Sequence, residues 1–153
     1  ALSEEELGRV ALGGGRWILL EPAPGPLSDT LIARVGHLAE RGHRTLIAHP
    51  ERHLSADMYE RIAALIVEDA LVQAAADFFL RERFADGMRM LAEQGLFDVL
   101  SSDAHTSLAG RPLRLGPAFE RLGAAAPLAS RIEWMAELAP RAIVAGDPLE
   151  PPF

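Results

Sequence analysis

The chain has 153 residues, of which 49% are hydrophobic, and carries a formal net charge of −7, so we expect a single globular domain spanning residues 1–153. It contains no cysteine, which excludes disulfides and thiolate metal sites, and its acidic balance argues against nucleic acid as a partner. No apolar run reaches the roughly 18 residues of a membrane span, and no signal-peptide pattern opens the chain, so the expected location is cytoplasmic.

Short apolar runs alternate with helical patterns along the chain. The runs begin near residues 17, 45, 71 and 98, so a strand recurs about every 27 residues, the length of a strand, a helix and two loops. Helical spacing relates Leu31, Val35, Leu38 and Ala39, then Met58, Ile62, Leu65 and Ile66, and in part Phe84, Met88 and Leu91. This alternation predicts an α/β fold with about four parallel βα units.

Local signals set the expected element boundaries. Ser3 and Glu6 form a capping-box pattern for a first helix that reaches Leu12, and the following glycine run is interpreted as a helix stop. Ser28 or Asp29 is expected to cap the second helix. We expect a helix break near Asp86 and Gly87, because glycine is a poor residue inside a helix. Two further helical patterns, in residues 115–122 and 132–138, precede an extended proline-containing tail.

Potential ligands follow three of the predicted strands. Glu21 follows the first strand, His49 the second, and Asp103 and His105 the fourth. Because parallel strands all point the same way, these side chains are expected on one face, at the carboxyl ends of the strands, where α/β folds place their sites. Imidazole and carboxylate donors without thiolate suit Mn²⁺, Zn²⁺ or Fe²⁺ in an open site.

Two arginines lie near these residues in sequence. Arg52 follows His49 by three positions, and Arg111 follows Asp103 by eight. The planar donors of arginine match a phosphate group, so metal ligands and arginines on one rim predict phosphoester hydrolysis. Taken singly, His49 could be a hydrogen-bonded loop residue and Asp103 a turn cap. The remaining histidines, His37, His43 and His53, are assigned mainly to surface roles, and only His53 is placed near the site.

The sequence resembles a known family at this point. The segments A-H-P-E-R at 48–52 and S-S-D-A-H at 101–105, with R-P at 111–112, are similar to the PHP (polymerase and histidinol phosphatase) superfamily. The branch they resemble is the bacterial capsular-polysaccharide tyrosine-protein phosphatases of CpsB type. The segments 18–22, 71–73 and 140–146 also resemble parts of that branch.

The resemblance implies a distorted, TIM-like barrel that holds two or three metals, often manganese. It implies hydrolysis of phosphotyrosine on a tyrosine kinase of capsule or exopolysaccharide biosynthesis. Carried over residue by residue, Glu21, His49, Asp103 and His105 would be metal ligands. Arg52 and Arg111 would be catalytic residues that bind the phosphate.

The chain also departs from this family. The H-x-H pair of the family's first strand and the ligands that precede Glu21 have no match, and His53 stands where many members carry tyrosine. A closed barrel needs seven or eight strands, so roughly the first 100 residues of a member have no counterpart here. We therefore expect the carboxyl-terminal part of a PHP fold, either as a fragment or as a half-barrel whose open edge is covered by a second copy.

Two alternatives to the tyrosine phosphatase remain. One is a degenerate, non-catalytic PHP-like scaffold or interaction module. The other keeps the enzyme class and changes the substrate to histidinol phosphate or another small phosphoester, such as a nucleotide.

Overall fold

The computed structural model describes residues 2–53, 55–105, 113–124 and 129–149. Helices and strands alternate through most of them, and the bounds in chain order are α1 Glu4–Val10, β1 Trp17–Leu20, α2 Asp29–Glu40, β2 Arg44–Ala48, α3 Met58–Val67 and β3 Leu71–Ala75. There follow α4 Ala76–Leu80, α5 Glu82–Glu93, β4 Val99–Ser101, α6 Gly116–Gly123, a π-helix Trp134–Leu138 and α7 Ala139–Ala145. The expected α/β class is confirmed.

The sheet has four parallel strands in the order β1-β2-β3-β4. Each strand pairs with the next one along the chain, as in the pairs Leu19↔Leu46, Ile47↔Val72 and Ala74↔Leu100. The predicted repetition of parallel βα units is therefore confirmed. Within the described residues the sheet is open, with β1 and β4 at its edges, and an isolated antiparallel bridge joins Ala11 to Ile18 of β1.

The core lies between the sheet and the helices that connect its strands. Both α2 and α3 present one apolar face to it, and Val35, Ile62 and Leu65 are completely buried. On the β4 side, the rings of Phe79 and Phe97 pack edge to face with 5.5 Å between their centroids. Burying one such side chain stabilises the folded state by about 1.5–3 kcal/mol. This packing therefore holds the strands, and with them their carboxyl ends, in fixed positions.

Helix starts follow the predicted caps. Ser3 and Glu6 form both bonds of the capping box, with the Ser3 N–H donating to Glu6 Oε2 at 2.8 Å. Ser28 caps α2 by accepting the Leu31 N–H at 3.2 Å. Each cap satisfies N–H groups that lack a partner in the first helical turn.

The expected break near Asp86 and Gly87 is wrong. Helix α5 runs through both residues, and the interruption lies earlier, at Arg81 between α4 and α5. The helix continues because Met88, Leu91 and Ala92 bury one face of it. That burial outweighs the roughly 1 kcal/mol that an interior glycine costs.

The glycine run after α1 is a packing contact. Leu12–Gly14 forms a short 3₁₀ turn, and a Cβ at Gly13 would lie 1.7 Å from the carbonyl oxygen of Val144 in α7. A Cβ at Gly15 would lie 2.7 Å from the Cα of Gly146. Only glycine permits this approach of two backbones, which brings α7 against the amino-terminal segment.

Within the described ranges, none of the helices has both the length and the apolar character that a membrane crossing requires. The predicted tail from residue 150 onward lies outside the described residues.

Candidate phosphoester site at the carboxyl ends of the strands

Three strand ends carry the predicted site residues to one rim of the sheet. Glu21 follows β1 directly and its Oε1 lies 3.4 Å from Nε2 of His49, which follows β2. Asp103 lies two residues after β4 and forms an ion pair with Arg52 from the loop after β2. The structure thus places Glu21, His49, Arg52 and Asp103 in two adjoining pairs, and their chemical roles remain predictions.

The loop after β2 is a strained, tightly held turn. His49 has left-handed backbone angles (φ 34°, ψ 54°), and Pro50–Arg52 forms a 3₁₀ turn directly after it. The His49 N–H still donates to the Gln73 carbonyl at 2.7 Å, while the His49 carbonyl accepts the Arg52 N–H at 3.1 Å. Such a conformation costs a non-glycine residue about 1–3 kcal/mol, and residues of this kind cluster at functional sites.

Glu51 is a buried carboxyl in this turn to which the sequence analysis assigned no role. Its side chain is 3% exposed, and Oε1 accepts the N–H of Ala75, the last residue of β3, at 2.7 Å. Burial raises the pKa of Glu51 to about 7, and the bond from Ala75 opposes that rise. The sequence around Glu51 contains no local pattern that indicates a buried side chain, because its partner Ala75 is distant in the chain.

Arg52 is held from two sides. Its guanidinium pairs with the Asp103 carboxylate and lies over the ring of Phe78, 5.9 Å from the centroid. Phe78 belongs to α4, which begins immediately after β3, so three consecutive strand ends contribute to the surroundings of this arginine. Its side chain is about one-quarter exposed, which leaves part of the guanidinium accessible at the rim.

Asp103 and His105 form a compact turn of their own. Asp103 has a positive φ of 48°, and its side chain is only 12% exposed. His105 is largely exposed and donates from Nδ1 to the backbone carbonyl of Asp103 at 2.8 Å. Because that bond requires a proton on Nδ1, the neutral ring has its lone pair on Nε2, the nitrogen that can bind a metal.

The surface roles predicted for His53 and His43 are wrong, whereas His37 is exposed on α2 as expected. His53 is buried and its Nδ1 donates to the Gly25 carbonyl at 2.6 Å, so it ties the loop after β1 to the loop after β2. Its predicted location near the site agrees with the structure. His43 is mostly buried and contacts Glu4 at 2.9 Å. Long-range partners such as these carry no local sequence signal.

A cavity of about 450 Å³ opens between these two loops. It is lined by Glu21, Pro22, Pro24, Gly25, His49, Arg52 and His53. The cavity combines a carboxylate, two imidazoles and a guanidinium with rigid proline walls. This is room enough for a phosphate group with part of its ester substituent.

The donors do not by themselves complete a metal site. Over residues 2–53, 55–105, 113–124 and 129–149, no three histidine or carboxylate side chains converge closely enough to hold an ion. Glu21 and His49 form one donor pair, and Asp103 is engaged by Arg52. The donor types fit a divalent metal, but a protein site usually has at least three ligands. Arg111, the second predicted phosphate arginine, lies outside the described residues.

Comparison with known proteins gives a match of fold. No family model matches the chain, and no curated protein matches it. A solved structure matches with a TM-score of 0.81 and 19% identity, from work on YwqE of Bacillus subtilis and CpsB of Streptococcus pneumoniae, which are described as unique metal-dependent tyrosine phosphatases. The match covers 96% of this chain and 61% of that one. The chain therefore shares the fold of that structure over about three-fifths of that structure's length.

Proposed function

We propose that this chain is the carboxyl-terminal part of a metal-dependent phosphoesterase, and specifically of a protein-tyrosine phosphatase. The observation that carries the proposal is a likeness of fold over nearly the whole chain to metal-dependent tyrosine phosphatases. It is supported by the gathering of Glu21, His49, Arg52 and Asp103 at the rim where parallel α/β folds bind their ligands.

The chemistry follows from the residue types at this rim. Arg52 presents planar N–H donors that match phosphoryl oxygens, and Phe78 holds the guanidinium in place. Glu21, His49, Asp103 and His105 are the proposed metal ligands, with Mn²⁺ as the first metal to test and Zn²⁺ or Fe²⁺ as alternatives. Since the described donors form only pairs, the remaining ligands would come from outside the described residues.

The proposed substrate is phosphotyrosine on a protein, as on a tyrosine kinase of capsule or exopolysaccharide biosynthesis, in the cytoplasm. The cavity beside Arg52 is open rather than enclosed, so a side chain that projects from a large partner can enter it. An acidic chain with a local arginine favours a phosphorylated side chain over a nucleic acid.

The test combines metal content with hydrolysis. We expect the complete protein that contains this chain, loaded with Mn²⁺, to retain the metal and to hydrolyse p-nitrophenyl phosphate and a phosphotyrosine peptide faster than histidinol phosphate. This chain by itself should bind the metal weakly and turn over slowly, because its described donors form only pairs. His49→Ala should lose both the metal and at least tenfold in kcat/KM, since even residues that only support metal ligands typically contribute 10- to 100-fold. His37→Ala is the matched control, because this exposed histidine lies in α2 and not at the rim. If His49→Ala retained the same metal content and the same kcat/KM as His37→Ala, the proposal would be contradicted.

A second candidate is a non-catalytic scaffold with the same fold. It is favoured by the ion pair in which Arg52, the proposed phosphate ligand, engages Asp103, a proposed metal ligand. In this reading the pair is structural and joins the loops after β2 and β4. If the complete protein holds no stoichiometric metal and shows no hydrolysis, and Asp103→Asn lowers only the stability, the scaffold is identified.

A further inference from the structure

The backbone hydrogen bonding between β2 and β3 ends with a side-chain bond at the carboxyl end of β2. In a parallel ladder in which the His49 N–H donates to the Gln73 carbonyl, the next bond runs from the Ala75 N–H to the His49 carbonyl. That bond is not formed, because His49 turns into the left-handed region and its carbonyl accepts the Arg52 N–H. The Glu51 carboxylate accepts the Ala75 N–H instead, at 2.7 Å. The bond from the Ala75 N–H to the Glu51 side chain thus takes the place of one backbone hydrogen bond between the two strands.

We propose that Glu51 is the positioning residue of this site, which anchors the turn 49–53 to the end of β3 and so sets where His49 and Arg52 point. The inference rests on the proposed function, in which those two side chains bind metal and phosphate. It goes further by assigning the geometry of both to one buried carboxyl that touches neither the cavity nor its contents.

The position of Glu51 in the turn makes this role effective. It adjoins Arg52 and is separated from His49 only by Pro50, whose ring fixes one backbone angle. The bond to Ala75 holds the middle of the turn, while His53 holds its end through Gly25. With both points fixed, the two site side chains leave the turn in set directions. Without the Glu51 bond, the turn keeps the bond from the His49 N–H to the Gln73 carbonyl, and the middle of the turn loses its tie to the end of β3.

Asp98 provides a matched control at the other end of β3. It is also a buried carboxyl, and its Oδ2 accepts the Val72 N–H at 2.9 Å. Val72 lies early in β3, and Ala75, at its carboxyl end, adjoins the rim. Equivalent changes at the two carboxyls therefore disturb the same strand, and only the changes at Glu51 should disturb the site.

The first experiment measures amide hydrogen exchange by NMR in the full chain. Glu51→Gln keeps an oxygen acceptor of the same length and should preserve wild-type protection. Glu51→Met has similar volume without an acceptor, and Glu51→Asp keeps the charge on a side chain one methylene shorter. Both should accelerate exchange at Ala75 and in residues 49–53 by roughly tenfold or more, since a lost buried bond shifts local opening by about that factor. Asp98→Leu should accelerate exchange at Val72 while leaving 49–53 protected, and Asp98→Asn should resemble wild type.

Two results would overturn the proposal. One is wild-type protection of 49–53 in both the Met and the Asp variants. The other is a Gln variant that behaves like the Met variant, since the negative charge and not the acceptor would then be the feature that matters. Two replacements without the wild-type bond are used, so that if one fails to fold the other still gives an answer.

The second experiment titrates inorganic phosphate into the same proteins and follows the amide signals of the turn. We expect Arg52→Ala to abolish the response, Glu51→Met to weaken the affinity several-fold, and Glu51→Gln to retain it. If the wild-type chain shows no response to phosphate, the proposed function fails, whereas the exchange results still decide the role of Glu51. If phosphate binds equally well to the wild type and the Met variant, the positioning role is refuted.

Discussion

Substitution of Arg52 tests whether this rim binds the phosphate group of a substrate. Arg52→Ala should lower kcat/KM for phosphate monoesters by at least tenfold while leaving bound metal in place, because the side chain donates to phosphoryl oxygens and is not a proposed ligand. Arg52→Lys should give an intermediate loss, since lysine keeps the charge and lacks the planar fork.

Arg81→Ala is the control for this prediction. Arg81 also lies 5.9 Å from the Phe78 centroid, but its charge pairs with Asp77 within the same helical turn. Steady-state kinetics and metal analysis on the three variants are the measurements. Equal losses for Arg52→Ala and Arg81→Ala would mean that general positive charge, and not the site, accounts for the effect.

Asp98 gives the stability of this protein a defined pH dependence. Burial raises the pKa of Asp98 from its ordinary value near 4 to about 6, against the opposing effects of the Val72 N–H and the Arg44 charge. A carboxyl with a raised pKa in the folded state stabilises the fold fully below its unfolded pKa, and this contribution is lost as the pH rises through 6.

Asp98→Asn should remove that dependence. The free energy of unfolding of the wild type relative to Asp98→Asn should fall by up to about 3 kcal/mol between pH 4 and pH 7. Urea unfolding of both proteins across this range measures it, and taking the difference cancels the other carboxyls. A difference that stays constant with pH would show that Asp98 titrates normally.

The residue scale is also where the sequence was least informative. Glu21, His49, Asp103 and Arg52 could be selected because strand ends of a parallel sheet share one rim, and the structure brings them there in pairs. Their roles stay predictions. The buried carboxyl of Glu51 and the inward position of His53 could not be predicted, because their partners, Ala75 and Gly25, lie more than 20 residues away.

At the scale of elements, the amino-terminal 3₁₀ turn and α7 depend on one backbone contact. Gly13→Ala should destabilise the chain by at least about 2 kcal/mol more than Gly14→Ala. Both glycines have positive φ, so both variants bear a strain of about 1–2 kcal/mol, but only at Gly13 does the new methyl group meet the Val144 carbonyl. Thermal or urea unfolding of the two variants provides the comparison. Equal destabilisation would show that the two segments separate at little cost.

The elements themselves were largely predictable. Strand positions, parallel pairing and the caps at Ser3 and Ser28 follow from apolar periodicity and local side-chain bonds, which act over a few residues. The break expected at Gly87 does not occur, because glycine propensity is worth about 1 kcal/mol and the burial of Met88 and Leu91 is worth more. Tertiary packing thus overrides the local preference of glycine in α5. The first helix also ends earlier than expected, at Val10 and not at Leu12.

At the scale of the molecule, we expect the open sheet to associate with a second copy. Leu19 of β1 is 47% exposed and Val144 of α7 is 62% exposed, and both line an apolar groove of about 370 Å³. Leu19→Lys combined with Val144→Lys should shift the chain toward monomer in sedimentation velocity, because burying lysine charges in a dimer is unfavourable.

Val67→Lys serves as the control for association. Val67 is 83% exposed at the end of α3 and does not line the groove. The same change there should leave the sedimentation coefficient unaltered. A wild-type chain that sediments as a monomer at every concentration would contradict the expected dimer.

The strands lie in the sheet in the same order as in the chain, which allows the protein to fold while it is synthesised. Among the described strands, β2, β3 and β4 each hydrogen-bond to the strand that precedes them in the chain, so each new βα module can dock as soon as it has left the ribosome. Pairing of these strands closes only the loop of one βα unit at a time, so the loop-closure entropy lost at each step is small. The polypeptide can therefore fold vectorially, and a nascent chain stalled once β3 has emerged from the ribosome should already protect the β1–β2 pair from proteolysis.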